Sequence, residues 1–385
     1  MRRVGKDTKP RVALVTNVLA HYRVPCFQKL AEKMPGQVIF FVLAEKMGHR
    51  HYVMAKGNDG LPVVPLAGWQ WSRPPHDDVH LNDVRPILHG HFDLLVLGAW
   101  DEPTYLLLWM SGVLCRQKVI FWIESTSEDS PRSPAKEKMK KILLSQSRGC
   151  IVPGKRASAY CRQLGQPEDR IFTAPNATDR VFFRDQTDRL LPIRDTLRRE
   201  ERVQEFVILF TGRLVEHLKG LSTLIKACGQ LERIGKRITL LIAGEGPQKT
   251  SYRELGTSEG LKDVRFLGTL DHETLCRYYA MADVFVLPSR SEPWGFVLNE
   301  GMEFGLPLIV SEAVGAGPDL VRQGENGFVF PVGDVFALAQ DLEVLANNES
   351  LRHRMGQASR SIIEKFSPEN WADGVMNAIE SVMYR

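Results

Sequence analysis

VFVLPSRSEPWGFVLNEGMEFGLPLIVS, residues 284–311, decides the fold. An apolar run, VFVLP, enters a short loop, SRSEPWG. A helically spaced stretch follows, and a second apolar run, PLIVS, closes the segment. Short apolar runs bounded by turn residues suit strands buried on both faces. Strand, helix and strand with short connections make a right-handed βαβ unit and therefore a parallel sheet. Pro293 stiffens the loop, and Gly295 lets the backbone come close to a ligand. Gly295, Phe296 and Val297 open the helix, so their N–H groups and about half a positive charge face whatever binds there, which suits phosphate or sugar hydroxyls. Glu292 lies in the loop and Glu300 inside the helix. A carboxylate at Glu300 can accept hydrogen bonds from vicinal ribose hydroxyls, and Glu292 is set to do the same for a sugar ring.

The same alternation extends in both directions. Residues 206–211, 238–244, 264–268, 284–288, 307–311 and 327–331 read as strands, with helices at 221–233, 272–281, 296–304, 335–347 and 350–366. Upstream, 11–17 (RVALVTN), 38–43, 93–98, 118–123 and 149–152 read as strands, with helices at 24–34, 103–115 and 134–146. Residues 180–205, dense in Arg, Asp and Glu, read as an exposed, partly helical linker. The expected fold is α/β: two Rossmann-like domains, 1–184 and 205–366, facing each other across a cleft. Ligands belong at the carboxyl ends of such strands.

Two further segments carry chemistry. In FTGRLVEHLKG, residues 210–220, a strand precedes a helix. Arg213 offers a planar fork and Lys219 a point charge, together able to hold a diphosphate, while Thr211 and Gly212 allow close backbone approach. Two cations can neutralise a pyrophosphate leaving group without a metal. In VRFLGTLD, residues 264–271, the loop Gly268, Thr269, Leu270 is suited to pinning a base through backbone groups. The Gly-rich AVGAGP, residues 313–318, fits the wall of a binding site.

In order, GRL…KG, AGEGP (243–247), FLG, SEPWGFVLNEGM and GLPLIVS resemble glycosyltransferase family 4, of the GT-B fold. The likeness is dense over 206–331 and thinner at RIFTAPNATD (170–179) and the tail. The resemblance implies a retaining transferase that moves a sugar from a nucleotide-diphosphate sugar to a hydroxyl of a glycan or lipid-linked acceptor, in cell-surface or exopolysaccharide synthesis. It implies no cofactor and no metal, and on family frequency it favours a UDP-sugar over a GDP-sugar. Arg213 and Lys219 would bind the donor phosphates, Glu292 the transferred sugar, Glu300 the ribose, and the loop 268–270 the base. The final helix, 367–383, would return to the N-terminal, acceptor-binding domain.

The sequence departs from the family pattern in three places. The Arg213 to Lys219 spacing is one residue longer. NVLAHYR, residues 17–23, stands where many members carry a Gly-Gly loop. WIESTSED, with Glu124, stands where many place a His, and resembles a subgroup with a Trp-x-Glu-Ser-like segment. Glu124 and His21 are acceptor-side candidates: Glu124 either orients or deprotonates the acceptor or is a plain loop carboxylate, and His21 either touches the acceptor or forms a turn.

Composition narrows the rest. The chain has 385 residues and a net charge of +4, too small to argue for nucleic acid. Six cysteines without a CxxC pair read as buried free thiols in a reducing compartment. The basic N-terminus leads into a strand rather than a signal segment. The longest apolar run, 105–115, is far below the ~20 residues of a spanning helix. The expectation is a cytoplasmic protein. Residues 132–162 hold nine Lys or Arg against one acid, Glu137. They fit either a basic amphipathic helix meeting the inner membrane face or a core-packed helix with a solvated basic side. The pairs His49/His51 and His89/His91 are too few for a metal site. Trp69 and Trp71 suit an aromatic acceptor platform or buried packing. Two rival readings are a non-catalytic nucleotide-sugar-binding partner subunit of another glycosyltransferase and a dinucleotide oxidoreductase. The latter lacks its GxGxxG, since residues 12–23 read VALVTNVLAHYR.

Overall fold

The computed structural model describes residues 10–44, 60–71, 79–129 and 132–384. It divides into two compact units. The first comprises residues 1–127, 131–178 and 367–385, and the second 128–130 and 179–366.

The first unit holds β1 (Val12–Thr16), β2 (Val38–Val42), β3 (Val63–Pro65), β4 (Gly68–Trp71), β5 (Val79–Asn82), β6 (Leu94–Leu97), β7 (Lys118–Trp122), β8 (Gly149–Val152) and β9 (Ile171–Thr173). Seven of them make one parallel sheet in the order β3-β2-β1-β6-β7-β8-β9, and β4 and β5 form a separate antiparallel hairpin. The strands are apolar because both faces are covered. On one face the helices Val24–Lys33 and Pro368–Tyr384 pack their apolar stripes, with Phe27 stacked on Phe40 at 4.5 Å and Trp371 fully buried against Trp122 at 5.4 Å. The helices Pro103–Leu114, Pro134–Ser145 and Lys155–Gln163 cover the other.

The second unit holds β10 (Phe206–Thr211), β11 (Ile238–Ala243), β12 (Val264–Gly268), β13 (Val284–Leu287), β14 (Leu308–Ser311) and β15 (Gly327–Phe330). All are parallel, in the order β12-β11-β10-β13-β14-β15. Strand order therefore reverses between β10 and β13, and in the first unit between β1 and β6. Connections on either side of such a point leave in opposite directions and open a crevice at the carboxyl ends.

Residues 180–205 are not the exposed linker expected. They form the helices Arg180–Leu190 and Arg194–Glu200, with Phe183 and Leu197 buried in the core of the second unit. Their charges are engaged: Arg194 and Arg198 bind opposite oxygens of the buried Asp283 at 2.6 and 3.0 Å, and Asp283 also accepts from the Val207 N–H at 2.8 Å. The boundary read at residue 184 falls inside the first of these helices, and the division between units lies at 178/179.

Candidate active site

The loops after β10 and β13 flank the reversal point of the second sheet. They are stitched together: the N–H groups of Arg290 and Ser291 donate to the Leu218 carbonyl at 2.8 and 3.1 Å. The sequence VEHLKG closes as one helical turn, Glu216–Lys219, ending on Gly220 at φ +58. That left-handed position favours glycine, and a Cβ there would also meet the Pro288 carbonyl oxygen at 2.4 Å. Glu216 pins the turn. It accepts from Ser222 Oγ at 2.6 Å, Tyr252 Oη at 2.9 Å and Arg290 Nη2 at 3.1 Å. Burial pushes its carboxyl up, but the hydrogen bonds from Ser222, Tyr252 and Arg290 outweigh that and hold it below the ordinary value.

Lys219 and Glu292 are brought together directly, as an ion pair of two largely buried side chains. Gly212 lies under the lysine stem, with the Lys219 Cε 3.4 Å from where a Cβ would stand. Arg213 is exposed, and its guanidinium has no hydrogen-bond or ion-pair partner among the described residues. Behind Glu292 lies the AVGAGP loop. The Gly315 N–H donates to the Glu292 carbonyl at 2.8 Å and the Ala316 N–H to that of Trp294 at 3.0 Å. A Cβ on Gly315 would stand 1.8 Å from the Pro293 oxygen, so only glycine lets the two loops meet. Trp294, buried, donates from Nε1 to Asn299 Oδ1 at 3.0 Å and ties the loop to the helix Phe296–Glu303, which Gly295 opens at φ +99.

Glu300 is 9% exposed on that helix, and Tyr279 Oη donates to its Oε2 at 2.9 Å. Burial pushes the Glu300 carboxyl up, partly opposed by the nearby His272 and by the Tyr279 hydrogen bond. Both partners come from the helix His272–Met281, capped by Asp271 directly after the loop 268–270. In that loop Gly268 sits at φ +74 and accepts from the Gly244 N–H at 2.7 Å; Thr269 is exposed and Leu270 packs on the core. The sequence reading missed Tyr279, His272 and Glu216. Tyr279 and His272 lie outside the motifs that were read, Glu216 lies inside FTGRLVEHLKG without a role of its own being signalled, and each acts on a residue distant in sequence or in the next turn.

In the first unit, Glu124 follows β7 and pairs with Arg23, which the sequence reading also passed over. Arg23 is 6% exposed, donates to Asn176 Oδ1 at 2.8 Å and lies over the Trp122 ring at 4.5 Å. Arg23 thus fixes the direction of the Glu124 carboxylate. His21 lies in a 3₁₀ turn before Arg23, its ring edge-on to Tyr22 at 5.4 Å. Trp69 and Trp71 are exposed, against the packing alternative. The basic segment does not offer all its apolar side chains to a membrane. Leu143 and Leu144 are core, Ile142 is exposed, and Lys140 is buried against Trp100 and Tyr160. Five cysteines are buried and Cys115 is exposed. His89 and His91 are exposed, and His49 and His51 lie outside the described residues. Among the described residues no cluster of metal-ligating side chains occurs, and no helix is long and apolar enough to cross a membrane.

The family described as "Glycosyl transferases group 1" matches residues 194–362, which contain every donor-side candidate. The O-antigen chain mannosyltransferase C of Escherichia coli is 33% identical over 313 residues, covering 79% of this chain and 77% of that protein. The D-inositol 3-phosphate glycosyltransferase of Corynebacterium efficiens is 31% identical over 299 residues, covering 74% and 68%. Among solved structures, the HepE protein of Anabaena in complex with UDP and glucose superposes with a TM-score of 0.70 at 16% identity, covering 96% of this chain and 99% of that one. Structural likeness at that identity speaks for the fold. The length and identity of the sequence matches speak for descent, and the chain therefore belongs to the group 1 glycosyltransferases and is a transferase enzyme.

Proposed function

We propose that the protein is a retaining glycosyltransferase of the family 4 type. It transfers a sugar from a nucleotide-diphosphate sugar, with UDP favoured over GDP, to a hydroxyl of a glycan or lipid-linked acceptor in cell-surface polysaccharide synthesis. The observation that carries this reading is the Lys219–Glu292 pair between the two loops that flank the strand-order reversal, beside a helix start and Arg213, whose guanidinium has no partner among the described residues. Arg213 and Lys219 meet the diphosphate. Glu292 accepts from hydroxyls of the transferred sugar while balancing Lys219. Glu300 accepts from the ribose hydroxyls. The bond from the anomeric carbon to the diphosphate oxygen breaks, and the acceptor oxygen bonds to that carbon on the same face. The acceptor proton passes to the departing phosphate. The charge developing on the leaving group is met by two cations and a helix dipole, a preorganised arrangement that needs no divalent ion. In the first unit the Arg23–Glu124 pair orients an acceptor hydroxyl, with His21 beside it.

The UDP complexes of the Anabaena protein support the donor class, and the O-antigen chain mannosyltransferase among the relatives supports a glycan acceptor. The test is an assay of the purified chain with UDP- and GDP-sugars in the presence of EDTA, with product configuration read by NMR. Turnover, or slow donor hydrolysis, with an anomer matching the donor supports the reading. Strict metal dependence or an inverted product contradicts it.

A further inference from the structure

The first unit carries an aromatic surface that the donor chemistry does not use. In the β4–β5 hairpin Trp69 stands opposite Leu81 and Trp71 opposite Val79. Directly opposed residues, and residues two apart on a strand, project to the same side. One face of the ribbon therefore presents two indoles and Leu81, with Trp69 81% exposed. An uncovered aromatic patch of this kind marks a binding surface.

Beside the hairpin lies a cavity of about 600 Å³, within the range of small-molecule sites. Among the described residues its wall includes Leu43 and Leu66, just past the carboxyl ends of β2 and β3, together with Trp69, Gln70, His80 and Asn82. His80 is 1% exposed. Glu102 accepts from its backbone N–H at 2.8 Å and lies 3.3 Å from its Nδ1, while Nε2 has no partner among the described residues. Asn82 is fixed in place, donating to the carbonyls of Leu43 and Leu66 at 2.8 and 2.9 Å.

We propose that the hairpin and this cavity form a saccharide-binding subsite that takes the distal pyranose rings of an oligosaccharide acceptor. The indole faces stack on the apolar C–H faces of the rings, while Gln70 and His80, which alternate to the other side of the ribbon, belong to the wall of the cavity beside them. The inference rests on the transferase reading above and adds the acceptor's size. In the sheet order β3-β2-β1-β6-β7, β2 lies three inter-strand spacings from β7, just past whose carboxyl end Glu124 stands. At about 4.8 Å per spacing this is about 14 Å. An acceptor that reaches both is several sugars long. A bilayer is the poorer occupant, because β4 and β5 contain no Lys or Arg, the residues that surface-seeking segments carry.

The test titrates the full chain with maltotriose, isomaltotriose and α-1,6-mannotriose, following tryptophan fluorescence, with methyl α-glucoside as the single-ring control. At least one trisaccharide is expected to shift the emission with an affinity about tenfold above the control. Trp69→Ala should abolish the shift, and Trp69→Phe should retain part of it. Trp69 projects into solvent, so the variants are expected to fold, which circular dichroism checks. The thermal shift given by UDP should be the same in Trp69→Ala as in wild type. A shift that survives in Trp69→Ala, or no response to any of the trisaccharides, overturns the proposal. So does Trp69-dependent sedimentation with phosphatidylcholine–phosphatidylglycerol vesicles without a saccharide response. Loss of the UDP shift in the wild type itself would count against the donor reading, and the saccharide titration would still be read independently.

Discussion

Lys219 and Glu292 hold each other in a largely desolvated pair, so each sets the other's chemistry. Lys219→Ala is expected to lower kcat about 100- to 1,000-fold, the loss typical of one preorganised donor to a developing anion. Nucleotide affinity should change less; initial rates and calorimetry separate the two. Glu300 yields a pH prediction. Its carboxyl is raised by burial and partly restored by His272 and Tyr279. If it accepts from ribose as the carboxylate, nucleotide affinity falls as pH drops through that raised value, at a higher pH than for an ordinary glutamate. Tyr279→Phe removes one restoring hydrogen bond and should move the loss to still higher pH, as calorimetry from pH 5 to 8 would record. The two glutamates could be singled out in the sequence because they stand in a dense motif. Tyr279 lies 21 residues from Glu300, and Arg23 lies 101 from Glu124, with nothing in the string to link them.

Among elements, the buried parallel strands were readable because an apolar run covered on both faces has no polar alternation to obscure it. The strands Val63–Pro65 and Ile171–Thr173 are too short for such a signal, and the β4–β5 hairpin has one open face. The partly helical character of 180–200 was readable, but its burial was not, because its charge density suggested solvent, whereas Asp283 collects two of the arginines. The loops at the carboxyl edge depend on missing side chains. A Cβ on Gly244 would stand 1.9 Å from the Gly212 oxygen, against the strand end that carries Arg213. Gly244→Ala should cost at least about 2 kcal/mol in urea unfolding, from overpacking and backbone strain together, and should raise the donor KM. Gly260→Ala, at φ +79 but with nothing within 4 Å of the added carbon, should cost about 1–2 kcal/mol from the backbone conformation alone and leave KM unchanged.

For the whole chain, the two-domain α/β plan followed from alternation alone, while the membership of residues 179–205 in the second unit needed their packing to be seen. One carboxylate tunes global stability away from any motif. Asp341, half-buried on the helix Val335–Asn347, is pushed by burial from 3.8 to about 6. The folded chain keeps its proton where the unfolded chain has released it. That contribution is full below pH 3.8 and lost as pH rises through 6. Asp341→Asn should therefore raise the melting temperature at pH 7.5 by about 2–4 °C, corresponding to about 1 kcal/mol after allowance for partial exposure. The gain should vanish near pH 4. The central claim concerns the donor site assigned to the β10 and β13 loops, and calorimetric titration with UDP tests it most directly. Wild type should bind without added metal, and Glu300→Ala should bind about 10- to 100-fold more weakly, the worth of hydrogen bonds to a buried charge. Equal affinity in wild type and Glu300→Ala, or no binding by the folded wild type, would contradict the account.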